Sequence, residues 1–174
     1  MRNQLNSLRQ PFLFLLGIFF FFTACETPID NSEEVIEEPA RTFPLVDEDL
    51  WPHFINFEEE AALRGYQFDL NLLEVTGFIN DIPRDGVAGT CRSGSHTREV
   101  TVDVNFWNNS GRLRRELVVF HELGHCVLFQ DHREQEDQFG RCLSLMNSGT
   151  SGCNVPYDLT TREFYIDELF AQWE

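Results

Sequence analysis

Basic residues are scarce in this chain. Its 174 residues hold 13 Lys+Arg against 29 Asp+Glu, a formal net charge of −16. Nucleic acid is therefore not an expected partner, because phosphate binding needs a basic footprint. Adhesion to an anionic membrane through basic residues is disfavoured for the same reason. No apolar run approaches the about 20 residues of a spanning helix; the run Phe12–Phe22 stops at 11. A Cys-x-x-Cys motif is missing, which argues against a cysteine zinc site and thioredoxin-like chemistry. A Gly-x-Ser-x-Gly motif is missing too, so Gly94-Ser95-His96 is no nucleophile elbow. Internal repeats are absent. What is present suffices for one ordinary domain: at 42% hydrophobic and 13% aromatic, the chain can bury a core and is not wholly disordered.

The N-terminus carries an address. Arg2 and Arg9 precede Pro11, and the Phe12–Phe22 run contains six of the 17 Phe. Its length is that of a signal-peptide h-region, roughly 7–15 residues. It closes with Phe22-Thr23-Ala24-Cys25. A small residue just before a cysteine resembles the lipobox of bacterial lipoproteins, with Phe22 where leucine is usual. The resemblance implies cleavage after residue 24, a diacylated Cys25, and attachment to the bacterial cell envelope at the outer membrane or cell surface. An ordinary cleaved signal or an uncleaved anchor would also export the chain. The expected layout is a signal peptide at 1–24, an acidic tether at 25–44 and one domain at 45–174. Cleavage removes two arginines and no acid, leaving 11 basic and 29 acidic residues. Between Glu26 and Pro44, six acids and three prolines favour an extended, solvated spacer.

With Cys25 lipidated, Cys91, Cys126, Cys142 and Cys153 remain, an even number in an oxidising compartment. Four thiols allow three pairings, and the spacing does not choose among them. Two structural disulfides, or one plus buried thiols, are expected.

The apolar periodicity predicts a helix over 49–64, where Leu50, Phe54, Phe57 and Ala61 recur at helical spacing ahead of Gly65. Residues 66–79 read as strand, with a possible bulge at Gly77. Residues 80–96, with Pro83 and several glycines, read as loop. Val100, Val102, Val104 and Phe106 alternate with polar residues, predicting a half-buried strand over 99–107. Residues 112–129 predict an amphipathic helix, 131–157 an irregular Gly/Ser-rich segment. A capping box at Thr160-Thr161-Arg162-Glu163 predicts a last helix to Gln172.

The second helix contains His121-Glu122-Leu123-Gly124-His125. Imidazoles four residues apart on a helix lie about 40° apart around the axis and about 6 Å apart along it. Both Nε2 atoms can thus meet one Zn²⁺ at about 2.0–2.1 Å. Glu122, turned about 100° from His121, stands beside such a metal. There it can take a proton from water and pass it to a leaving amine. A catalytic zinc needs a third protein ligand, and Asp131 and His132 follow. Had the helix run on, His132 would lie about 10.5 Å beyond His125, so the chain must leave it near 128–130 and fold back. Three histidines make an ordinary catalytic set, which favours His132, with Asp131 as the alternative. Tyr157 and Tyr165 are candidates to polarise a carbonyl, though packing roles suit both. His53 and His96 fall outside the motif.

The segment resembles the metzincin-type zinc peptidases, which continue His-Glu-x-x-His-x-x-Gly-x-x-His (or Asp) and later carry a Met-turn. Leu128 stands at the glycine position, Asp131 at the usual third-ligand position, and His132 one residue late. It also resembles a group of zinc metallopeptidase-type lipoproteins spelling His-Glu-Leu-Gly-His-Cys-x-Leu-x-x-x-His. Cys142-Leu143-Ser144-Leu145-Met146-Asn147 resembles the Met-turn, implying that Met146 floors the metal site without ligating it. In this reading Asp131 or Glu134 orients a ligand. The resemblance implies an α+β, zincin/metzincin-like fold: a small twisted sheet packed on the helix carrying the motif, with N- and C-terminal helices. It implies zinc as cofactor, a peptide or protein substrate, and a monomer. If the strand at 100–107 is a sheet edge, substrate would add to it as a further strand. The competing expectation is a non-catalytic zinc-containing envelope lipoprotein, a binding or structural module; it has no use for Glu122 as a base.

Overall fold

A computed structural model describes residues 41–149 and 153–171. The expected signal peptide, the expected lipidation site Cys25 and most of the expected tether lie outside the described residues. No described helix is long and apolar enough to cross a membrane. The architecture is α+β, a small mixed sheet with helices.

A 3-10 turn, Glu48–Leu50, leads into α1 (Trp51–Leu63), as the 49–64 periodicity predicts. Leu50, Phe54, Phe57 and Ala61 are all fully buried. The fold begins upstream of residue 45: Phe43 is also fully buried, edge-on to Phe54 at 5.5 Å. Arg41 pairs with both Glu58 and Asp69.

Among the described residues three strands form the sheet, β1 (Val75–Asn80), β2 (Gly89–Gly94) and β3 (Thr97–Asp103), in the order β1-β3-β2. β1 runs parallel to β3, and β2 antiparallel to it. Five expectations are corrected here. The alternation at Tyr66, Phe68 and Leu70 is not strand; pairing starts only at Val75. Gly77 is not a bulge, since it stays in register with Val100. It is a close approach: a Cβ there would come within 2.9 Å of Val46, 3.0 Å of Phe54 and 3.1 Å of Leu50. Residues 89–94 are strand, not loop, because hairpin pairing with β3 overrides their weak local propensity. The strand expected over 99–107 ends at Asp103. That residue's carboxylate accepts the Phe106 N–H at 2.8 Å, capping a short helix, α2 (Val104–Asn108). β3 is moreover the central strand, so it cannot receive a further strand; the edge beside the site is β2.

Helix α3 (Arg112–Cys126) packs on β2, β3 and α1. The last helix, α4 (Arg162–Ala171), lacks the expected capping box: Asp158 accepts the Thr160 and Thr161 N–H groups, while Glu163 reaches Arg64. The Phe57 ring joins three helices, lying 5.3 Å from Phe120 and 5.2 Å from Phe170. Glu116 is buried on α3 and is satisfied by Arg162 Nε at 2.6 Å, Asn56 Nδ2 at 2.7 Å and the Tyr157 hydroxyl at 2.6 Å. Such pairing is what a buried charge requires.

Candidate metal centre

Along α3, Val119, Phe120, Leu123 and Cys126 face the core. The opposite side, carrying Arg114, Leu117, Val118, His121, Glu122 and His125, lines an open cleft of about 1340 Å³. Strand β2 forms one wall of that cleft. Gly89 lets the strand pass close over the helix: a Cβ there would stand 2.8 Å from Glu122 Cγ, Glu122 Oε1 and Val118 Cγ1. A disulfide between Cys91 and Cys126 ties β2 to the end of α3. A second, Cys142–Cys153, spans the segment that holds Met146. Of the two expectations, two disulfides or one plus buried thiols, the first holds; the pairing is set by the fold and not by the spacing.

The helix stops at Cys126, and the chain folds back within three residues. Phe129 takes the left-handed conformation, φ 54°, and the Gln130 N–H reaches the Gly124 carbonyl at 3.1 Å. A non-glycine residue there costs on the order of 1–2 kcal/mol. The reversal thus falls on Phe129, one residue after Leu128, the position that the metzincin resemblance would assign to glycine. Placing it one residue late brings His132, rather than Asp131, back to the helix.

The three imidazoles converge through their Nε2 atoms. His121 and His125 are 3.1 Å apart, His121 and His132 3.2 Å, and His125 and His132 3.1 Å. His121 Nδ1 lies 2.9 Å from the Leu145 carbonyl and His125 Nδ1 2.6 Å from that of Gln130. A carbonyl only accepts, so each Nδ1 carries the proton and each Nε2 presents a bare lone pair. Burial pushes the His121 pKa down to about 4 and also lowers that of His125, favouring the neutral imidazoles that ligate metals. Convergent lone pairs repel unless a cation lies between them. Nitrogens held tetrahedrally at about 2.0–2.1 Å from zinc are about 3.3–3.4 Å apart, within a few tenths of an ångström of this triangle. His121, His125 and His132 could therefore hold a metal ion. Among the described residues no fourth His, Cys, Asp or Glu joins the group.

Glu122 is 6% exposed, and burial pushes its carboxyl up to about 8. Asp131 lines the cleft and is exposed, outside the converging group. The orienting role expected of Asp131 or Glu134 is filled, for His121 and His125, by the two backbone carbonyls; Glu134 accepts the Asn147 amide at 2.8 Å. Tyr157 reaches the cleft, but its hydroxyl donates to Glu116; the Tyr165 hydroxyl is buried against the Cys142 carbonyl at 2.7 Å. His53 is buried edge-on to Trp107 at 5.6 Å, and His96 is exposed in the β2–β3 turn.

Met146 is fully buried directly beneath Gly124. Its carbonyl accepts the Arg133 N–H at 2.9 Å, fastening the chain next to His132. A Cβ at residue 124 would stand 2.5 Å from Met146 Sδ and 3.2 Å from Leu169 Cδ1. Gly124→Ala is therefore expected to destabilise the fold by about 1–3 kcal/mol, the usual effect of overpacking. Denaturant unfolding of the metal-free protein measures this; an unchanged midpoint would mean that Met146 does not pack there.

Comparisons of the chain with family models, with curated proteins and with solved structures find no match.

Proposed function

We propose that this protein is a zinc-dependent metallopeptidase, most simply an endopeptidase, built on a metzincin-like fold. The observation that carries the reading is the triangle of three bare Nε2 atoms with buried Glu122 next to His121 on the same helix. A structural zinc site closes its coordination with a fourth protein ligand, whereas a catalytic one keeps a position open. Zinc held here supplies Lewis acidity, lowering the pKa of water and polarising a peptide carbonyl.

The chain's own groups do the rest. Leu145 and Gln130 aim two imidazoles; Glu122, kept neutral by burial, becomes the carboxylate base when a cation sits beside it, and then moves a proton from water to the departing amine nitrogen. Strand β2 is an edge strand among the described residues, so an extended peptide can pair with it in the cleft. The cleft volume exceeds the about 300–1,000 Å³ common for small-molecule pockets, which suits a polymeric substrate. Arg84 and Arg114 line the same cleft and ion-pair with no described carboxylate, so a test library should include acidic peptides.

The purified domain should contain about one zinc per chain, cleave members of a broad peptide library, lose that activity to a chelator and regain it with added zinc. A zinc-loaded protein inert across the library would instead be a binding module. The same proposal places the protein on the cell envelope through Cys25. A clickable fatty acid fed to cells should label the wild type and not Cys25→Ser. Residues 1–24 persisting in the membrane form would refute lipidation.

A further inference from the structure

We infer that helix α4 is the brace of the metal centre, with Glu168 and Gln130 as positioning residues that set its metal affinity. The inference rests on the metal-centre reading above and adds the part of the chain that aims the ligands.

Both orienting carbonyls belong to residues that α4 holds. Leu145, whose carbonyl receives His121 Nδ1, gives its own N–H to Glu168 Oε2 at 3.2 Å. The same oxygen accepts the Ser144 hydroxyl at 3.0 Å, and Ser144 Oγ in turn accepts the Met146 N–H at 3.0 Å. Gln130, whose carbonyl receives His125 Nδ1, donates its side-chain amide to the Leu169 carbonyl at 2.6 Å. The third ligand is reached as well: Arg133, next to His132, lies 3.8 Å from Glu168 Oε1. Two consecutive residues of one helix thus touch the supports of all three histidines.

Packing alone does not explain these bonds. Ile166, Leu169 and Phe170 already dock α4 through fully buried apolar surface. Gln130 is 8% exposed, and its Oε1 has no hydrogen-bond partner among the described residues. A buried amide with one orphaned oxygen costs about 1–3 kcal/mol, which an apolar side chain of similar size would avoid. What the amide supplies is direction: it fixes the residue whose carbonyl holds the His125 ring. Groups behind metal ligands commonly set affinity by 10–100-fold.

The test is chelator competition for zinc on the metal-stripped protein, with the visible spectrum of the Co²⁺-loaded form as a second readout. Glu168→Ala and Gln130→Met should each weaken zinc binding about 10–100-fold and shift the cobalt bands. Glu168→Gln keeps an acceptor for Leu145 and Ser144 and should restore most of the affinity. The control is Asp167→Ala on the same helix, which removes a carboxylate bonded to Arg64 and should leave zinc affinity unchanged. Should Glu168→Ala fail to fold, Gln130→Met decides by itself, since its backbone carbonyl is retained. Wild-type affinity in Glu168→Ala and Gln130→Met, or equal losses in Asp167→Ala, would overturn the brace and leave the metal centre standing. A wild type that binds neither metal overturns both. Bound zinc without peptide hydrolysis overturns only the peptidase reading.

Discussion

Replacing Glu122 with Gln is expected to lower peptide hydrolysis by about 10²–10⁴-fold, the range typical of losing general acid–base help, with zinc still bound. The substitution keeps the size of the side chain and its burial against Gly89, so β2 and α3 should stay where they are. It removes the carboxylate that carries the proton in this reading. Glu122 is also outside the triangle of Nε2 atoms, so metal content should match the wild type. Both quantities are measured on one preparation, metal by elemental analysis and hydrolysis on the best library peptide. Equal rates for wild type and Glu122→Gln would remove Glu122 from the chemistry. Loss of zinc in Glu122→Gln would make it a ligand and change the centre's coordination.

His132→Ala should abolish tight zinc binding, with a loss larger than the 10–100-fold that removing an orienting group costs. Asp131→Ala should leave most of the affinity. The reason is geometric: His132 Nε2 sits 3.1–3.2 Å from both other Nε2 atoms, and Asp131 lies outside that group. Thermal unfolding gives an independent check. Zinc at 100 times its dissociation constant stabilises a protein by about 2.7 kcal/mol, so zinc should raise the melting temperature of wild type and Asp131→Ala but not of His132→Ala. The reverse pattern would make Asp131 the third ligand.

Legibility followed the range of the interactions. Helix α3 was readable because a fifteen-residue amphipathic pattern is local. So was the N-terminal helix, whose four spaced apolar residues are all buried. Valines alternating over 100–106 were misleading at their far end, where Asp103 had a cap to make, a role readable only once the Phe106 N–H was seen beside it. Strand β2 has no local signal, because Gly89-Thr90-Cys91-Arg92-Ser93-Gly94 has little strand propensity; its partner β3 and its bond to Cys126 hold it in place. Gly89 carries no sequence signal for the same reason: its lack of a side chain matters only because a Cβ there would stand 2.8 Å from Glu122 and Val118 of another element.

Helix geometry alone puts His121, Glu122 and His125 within about 100° of arc on one helix, and requires the chain to reverse just beyond them if Asp131 or His132 is to join them. Both follow from the fixed rise and turn of the α-helix, which depend on neighbours in the chain alone. Packing set the rest: the convergence of the His132 ring, and not of Asp131, on the other two imidazoles, the two disulfide pairings, the edge strand beside the cleft, and the carbonyls of Leu145 and Gln130 beside the imidazoles. Each of these joins groups brought together by packing. Backbone carbonyls in particular are the same in every residue, so no side-chain pattern can announce which of them will stand 2.9 Å from a histidine.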